Sequence, residues 1–166
     1  MSVTLRPARE SDSALIFALL RELADYEKLG DEVDATPDMI AAALFGKEPR
    51  LHCDLAEWNG EPAGFAVWFL NFSTFRGRHG IYLEDLFVRP AYRGRGIGKA
   101  LMARLAQRCV DDGLARFEWS VLDWNKPSIA FYQSIGAKVM DEWKICRLSG
   151  PALESFAAEG ARNTSV

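Results

Sequence analysis

The stretch from Tyr82 to Gly98, Y-L-E-D-L-F-V-R-P-A-Y-R-G-R-G-I-G, restricts the fold more than any other part of the chain. Its first half alternates as a strand does, and its second half is a basic turn with glycines at 94, 96 and 98. Ile97, Leu101, Leu105 and Cys109 then recur at helical spacing, which predicts a helix from Ile97 to about Asp111, ended by Gly113. Strand, glycine-rich turn and helix in that order suit a phosphate. Bare backbone approaches a ligand closely, and the first-turn N–H groups point at it from the favourable end of the helix dipole. Arg93, Arg95 and Lys99 add positive charge. The bland reading of the same letters is a glycine-rich connection with solvated arginines. The flanking strand and helix favour the phosphate.

Two common phosphate loops do not fit. A Walker loop, G-x-x-x-x-G-K-[ST], fails because position 93 is Arg and Ala100 follows Gly98-Lys99. A dinucleotide loop, G-x-G-x-x-G, fails because Lys99 stands where its third glycine belongs. The pattern present is R-x-x-G-x-G, as Arg93, Gly96 and Gly98.

Charge is distributed unevenly along the chain. The net charge is −3. Between Glu22 and Asp34 six acids (Glu22, Asp25, Glu27, Asp31, Glu32, Asp34) face only Lys28. Between Arg76 and Arg108 eight bases outnumber Glu84 and Asp85. One segment suits a cation and the other an anion, unless both are simply solvated faces. The acidic total and the lack of a basic stripe with interleaved aromatics argue against nucleic acid. The longest apolar stretch, Ala63 to Leu70, is too short to span a membrane, and the N-terminus lacks the apolar core of a secretory signal. Cys53, Cys109 and Cys146 are scattered, and His52 and His79 are isolated, so reduced thiols in a cytoplasmic protein without a metal are expected.

The remaining elements follow in order. Val3–Arg6 reads as a strand. A helix capped at Ser11 or Asp12 carries Leu15, Ile16, Leu19, Leu20 and Leu23 and closes at Gly30. Pro37 to Phe45 reads as a second helix. Leu51–Trp58 and Ala63–Asn71 are strands joined at Asn59-Gly60, a hairpin signal. Phe72–Gly80 reads as a basic loop and Gly80–Val88 as the next strand. Ala115 to Val121 alternates as a half-buried strand, and Pro127 opens a helix to Ile135. Ala137–Met140 and Trp143–Leu148 are further strand candidates, Pro151–Ala158 a short helix, and 160–166 a frayed tail. Strands with helices between them predict one α/β domain over 1–159 with a mixed sheet.

Chemistry concentrates at three places. Glu84 and Asp85 interrupt an apolar strand. Neighbouring strand residues point to opposite faces, so a paired dyad is not expected. Such a charge either pairs with an arginine or lines a cavity. Leu86, Phe87 and Val88 lead into the basic turn. If the neighbouring strand diverges there, their free backbone groups can take an amide-bearing ligand, whereas an unbroken ladder leaves none free. Asn125, Lys126, Pro127 and Ser128 open the late helix, where Asn125 either caps it or binds a ligand amide. Tyr132 either packs or aims its hydroxyl into the cleft.

Taken together, V-T-L-R-P-A at 3–8, E-L-A-D-Y-E-K-L at 22–29, the Tyr82–Gly98 stretch and D-W-N-K-P-S-I-A-F-Y-Q-S-I-G-A at 123–137 resemble the GNAT superfamily of N-acetyltransferases. More narrowly they resemble its diamine (spermidine/spermine-type) and thialysine branch, and Ser73-Thr74-Phe75 is closer to the thialysine type. The likeness covers about Val3 to Phe156. It implies the GNAT fold, with a mixed, mostly antiparallel sheet, splayed central strands and flanking helices. It implies an enzyme that moves acetyl from acetyl-CoA to the primary amine of a small cationic substrate by direct attack in a ternary complex. Arg93, Gly94, Arg95, Gly96, Ile97, Gly98 and Lys99 would hold the pyrophosphate. The backbone of Leu86, Phe87 and Val88 would hold the pantetheine, with Asn125 to Ser128 and Tyr132 also on the cofactor. Tyr132 would protonate the leaving thiolate and Glu84 would accept the amine proton. Tyr26, Glu27, Glu84, Asp85, Glu118, Trp119 and Ser120 would line the amine pocket. The resemblance also implies a homodimer. A rival of another class is a non-catalytic acyl-CoA sensor or, among enzymes, one acting on a protein amine.

Overall fold

The computed structural model describes residues 2–163, in two compact units, one ending at Ser120 and the other starting at Val121. In the first unit, β1 (Val3–Pro7) leads through a 3₁₀ turn at Glu10–Asp12 into α1 (Ser13–Tyr26), followed by α2 (Pro37–Phe45). Strands β2 (His52–Trp58), β3 (Glu61–Ser73) and β4 (Arg78–Val88) come next, then α3 (Ile97–Asp111) and β5 (Phe117–Trp119). The sheet order is β1-β2-β3-β4-β5, with antiparallel pairs up to β4 and a parallel β4–β5 pair.

Local chemistry accounts for these elements. Thr36 caps α2 by accepting the Met39 N–H, Pro37 occupies the first turn, and the helix ends before Gly46. Asn59 (φ 51°) and Gly60 (φ 86°) make the two-residue turn that the Asn-Gly pair announces, with Trp58 opposite Glu61. Helix α1 stops four residues before Gly30, where Lys28 takes φ 62°. The Phe72–Gly80 stretch, expected as a loop, is mostly ladder: Phe72 pairs with His79 and Ser73 with Arg78. Cross-strand pairing overrides its polar composition, and only 74–77 turn.

The sheet is packed on both faces. Ile16, Leu19 and Leu23 of α1 and Leu44 of α2 bury Cys53, Leu55, Phe65, Val67 and Phe87. By alternation Asp54, Ala66, Trp68, Leu83 and Ile81 point the other way, toward α3, which buries Ile97, Leu101, Met102 and Leu105. Asp54 is buried at this second junction. One carboxylate oxygen accepts from Trp68 Nε1 at 3.0 Å and the other from Arg104 Nε at 2.8 Å, so the charge is fully partnered.

The second unit holds α4 (Lys126–Ser134) and α5 (Gly150–Asn163). The strands expected at Ala137–Met140 and Trp143–Leu148 do not form: the chain from 137 to 149 is turn and irregular structure. Alternation supplies a strand's face but not its partner, and Val139, Met140, Trp143, Ile145 and Leu148 stay exposed. Residues 160–163, expected as frayed tail, belong to α5, and 164–166 lie outside the described residues.

Candidate active site

Three features of β4 build the site. The first is a bulge. Val67 pairs with Asp85 and Trp68 with Leu83, so Glu84 is an extra residue on β4. The bulge interrupts strict alternation at this point, and Glu84 is exposed where Asp85 is half-buried. Their charges interact, and Glu27 at the end of α1 joins them. Burial, then Glu84, then Glu27 push the Asp85 carboxyl up to about 7. Burial also raises Glu27. Glu27, Glu84 and Asp85 are thus one acidic group, and the exposed Tyr26 precedes Glu27 in the chain.

The second feature is an open edge. The β4–β5 ladder covers Ile81–Phe117, Tyr82–Glu118 and Leu83–Trp119 and stops there. From Asp85 to Val88, β4 keeps β3 on one side only. Alternate N–H and C=O groups of Leu86, Phe87 and Val88 therefore face a side on which the sheet supplies no strand. Gly64 of β3, a residue that sequence reading did not single out, allows close approach on the paired side. A Cβ there would lie 2.4 Å from the Phe87 carbonyl oxygen. An isolated glycine in an apolar run is the signal for such a contact.

The third feature is the turn into α3. Gly94 (φ 73°) and Gly96 (φ 77°) hold left-handed backbone, and a Cβ on either would meet no atom within 4 Å. The conformation, with open space around it, is what demands glycine. Gly96 is the N-cap of α3, no side chain caps that end, and the first turn carries no acid. Its N–H groups and the exposed Lys99 make an electropositive cradle that fits a pyrophosphate. Arg93 is already engaged: its Nε donates to the Val88 carbonyl at 3.0 Å, and its guanidinium lies 4.6 Å from the centre of the Tyr26 ring. It joins the turn to the acidic group. Arg95 lies over Trp58 at 4.8 Å.

The three β5 candidates separate. By register Glu118 shares the Tyr82 face with Ser120, whose Oγ is 2.6 Å from the Tyr82 hydroxyl. Trp119, expected in the amine pocket, alternates to the α3 face, where its ring is 4.9 Å from Phe117. Asn125, Lys126, Pro127, Ser128 and Tyr132 belong to the second unit. There the buried Asn125 caps α4 by accepting the Ser128 N–H, and the half-buried Tyr132 lies in its last turn. Tyr82, the first residue of the Tyr82–Gly98 stretch, also borders the site, as do Asn71 and Arg116, which no motif marked.

The open β4 edge thus runs from carboxylates at one end to an electropositive turn at the other. The Acetyltransferase (GNAT) family profile matches residues 16–137. The chain belongs to the GNAT family. It is an N-acetyltransferase with the GNAT fold. The chain is 38% identical over 169 residues to the thialysine N-epsilon-acetyltransferase of Sus scrofa, covering 95% of this chain and 99% of that protein. It is 45% identical over 94 residues to an L-ornithine N5-acetyltransferase of Arabidopsis thaliana, covering 57% of this chain and 41% of that one. Among solved structures, a Vibrio cholerae integron cassette protein superposes with a TM-score of 0.79 at 28% identity, covering 95% of this chain and 98% of that chain. Among the described residues, no helix of this GNAT protein is long and apolar enough to cross a membrane.

Proposed function

We propose that this GNAT enzyme transfers acetyl from acetyl-CoA to the primary amine of a small cationic molecule, a lysine-like amino acid or a diamine. The observation that carries the reading is the unpaired edge of β4 from Asp85 to Val88, with carboxylates at one end and the electropositive turn into α3 beyond the other. The names of its relatives, which act on thialysine and ornithine, agree with it.

The residues divide the work as follows. The N–H groups at the start of α3, with Arg95 and Lys99, hold the pyrophosphate. The open backbone of Leu86–Val88 receives the amides of the pantetheine arm, and one of its N–H groups polarises the thioester carbonyl. Asn125–Ser128 add cofactor contacts. An alkylammonium has a pKa near ~10.4, so only about one in a thousand is neutral at pH 7.4. Glu84, exposed and beside Asp85, takes that proton directly or through water. Tyr132 supplies a proton to the departing thiolate. Tyr26, Glu27 and Asp85 attract the cation. Transfer is direct in this reading: burial pushes the Cys53 and Cys109 thiols up, away from the thiolate an acetyl-cysteine would need, and an acetyl group trapped on the exposed Cys146 with normal turnover through it would overturn direct transfer.

The protein works in the cytoplasm in this reading, in keeping with its three free cysteines. It acts as a homodimer. Trp143 and Ile145 of the second unit are 74% and 75% exposed, apolar surface of the kind a second copy covers.

Thiol release from acetyl-CoA against spermidine, putrescine, thialysine, lysine, ornithine and a short peptide tests the reading. Turnover with one cationic small amine is expected. Tyr132→Phe should bind acetyl-CoA normally and turn over about 10²-fold more slowly at pH 7.5. Acetyl-CoA binding without turnover on any amine would leave only a sensor, and turnover confined to the peptide would name a protein substrate.

A further inference from the structure

Beyond Tyr82, the face that carries Asp85 continues as a polar floor, on which Glu118 and Ser120 were expected in the amine pocket and Asn71 and Arg116 were not. Asn71 of β3, Tyr82 of β4, and Glu118 and Ser120 lie on it together. Asn71 Nδ2 donates to Glu118 Oε2 at 2.9 Å, and Arg116 Nε is 2.6 Å from the same oxygen. The Tyr82 hydroxyl and Ser120 Oγ are 2.6 Å apart. Gly80 makes this closeness possible: a Cβ there would stand 2.7 Å from Asn71 Oδ1 and 2.9 Å from Arg116 Cγ. The Arg116 and Glu118 side chains remain 41% and 43% exposed, so both charges reach solvent.

The position along the sheet matters. Asp85 and Tyr82 lie opposite Val67 and Phe69, two steps of β3 apart, about 7 Å along the sheet. The side chain of lysine spans about 6 Å from its ω-nitrogen to its α-carbon. Hydrogen bonds at both ends make up the difference. A molecule with its reacting amine at Glu84 and Asp85 therefore lays its far end at Glu118 and Arg116.

We infer that Arg116 and Glu118 form a distal subsite that reads the α-carboxylate and α-ammonium of an amino-acid substrate and so discriminates it from a diamine. The inference rests on the amine-acetyltransferase reading above. Glu118, helped by Ser120 and the Tyr82 hydroxyl, accepts from the α-ammonium. Arg116 presents its planar fork to the α-carboxylate. Exposed ion pairs contribute little, so exchanging the Arg116–Glu118 pair for two ligand charges costs little. A diamine brings an ammonium to Glu118 but leaves Arg116 facing a like charge.

The test is the ratio of kcat/KM for thialysine to that for bis(2-aminoethyl) sulfide, its counterpart without the carboxylate. Lysine against 1,5-diaminopentane gives a second ratio. Wild type should favour the amino acid in both pairs. Arg116→Gln should lower each ratio by about tenfold or more, through the amino acid's KM rather than kcat, and Arg116→Lys should restore part of it. Glu118→Gln should raise KM for both members of a pair. Arg116 is suited to the test because its fold contact, the carbonyl that accepts the Ile81 N–H, is backbone and survives substitution. A wild-type enzyme without the preference, or a ratio unchanged in Arg116→Gln, overturns the subsite while leaving the acetyltransferase reading intact. Loss of turnover on every small amine would overturn that reading, and the subsite with it.

Discussion

From Arg78 to Leu83, β4 lies beside β3 and is joined over Ile81–Leu83 by β5; from Asp85 to Val88 it keeps β3 alone, and the bulged Glu84 marks the change. On its α3 face the paired half packs, with Ile81 and Leu83 0% and 2% exposed, while Tyr82 faces the other way. The open half holds the carboxylates and the free backbone. One strand thus combines a rigid anchor with a reactive edge, and the bulge lets the two differ without ending the ladder to β3. The comparison teaches that substitutions in the two halves should separate stability from activity.

The largest expected effect lies at the boundary. Glu84→Gln should lower kcat by about 10²–10⁴-fold near pH 7 with the melting temperature nearly unchanged, because the side chain is exposed and only its proton-accepting role is lost. A kcat within threefold of wild type, with the same pH–rate profile, would take the base away from the open half. Ile81→Ala, in the paired half, should do the reverse. It removes a fully buried side chain between α3 and the sheet, at a cost of about 2–5 kcal/mol in denaturant unfolding. The kcat per folded molecule should hold. A matching loss of kcat below the unfolding transition would show that the halves are not independent.

A smaller effect belongs to the turn that the open half feeds. Gly96→Ala forces a Cβ into left-handed backbone at φ 77°, a cost of about 1–2 kcal/mol, with no neighbouring atom to clash. The strain should appear as a KM for acetyl-CoA raised about tenfold, with kcat at saturation little altered. If KM is unchanged while stability falls, the turn shapes the fold and not the cofactor site.

Much of this division was legible in the sequence, and its limits have physical causes. The Asn59-Gly60 turn, the Pro37–Phe45 helix and the Ile97–Asp111 helix were readable because each is decided within one or two turns of chain. The Arg93–Gly98 motif was readable for the same reason. The bulge at Glu84 was not, since it exists only in the register between β3 and β4. The Asn71–Glu118 contact joins residues 47 apart, which no local spacing announces. Residues 118 to 120 were taken as one lining, and strand alternation divides them, setting Trp119 on the face opposite Glu118. The absent strands at 137–140 and 143–148 show the converse: an alternating pattern is necessary for a strand, and a partner edge makes it one.

The smallest expected effect would sharpen the comparison most, because it tests whether the carboxylates of the open half act as a group. Burial first, then the charges of Glu84 and Glu27, hold the Asp85 carboxyl up to about 7. A carboxyl raised on folding penalises the folded state when ionised. That penalty is absent below the ordinary carboxyl pKa, grows as pH rises, and is complete above about 7. Asp85→Asn should therefore leave stability near pH 4 unchanged and raise it at pH 8, by about 1–3 kcal/mol after allowance for solvent. Binding runs the opposite way, since a cationic substrate favours the ionised carboxylate. In wild type the KM for the protonated amine should fall a few-fold between pH 6 and 8 as Asp85 loses its proton. In Asp85→Asn that slope should flatten while the Glu84-dependent kcat profile persists. A slope that survives the substitution would mean that the amine does not meet Asp85, and would leave Glu84 as the one working carboxylate of the open edge.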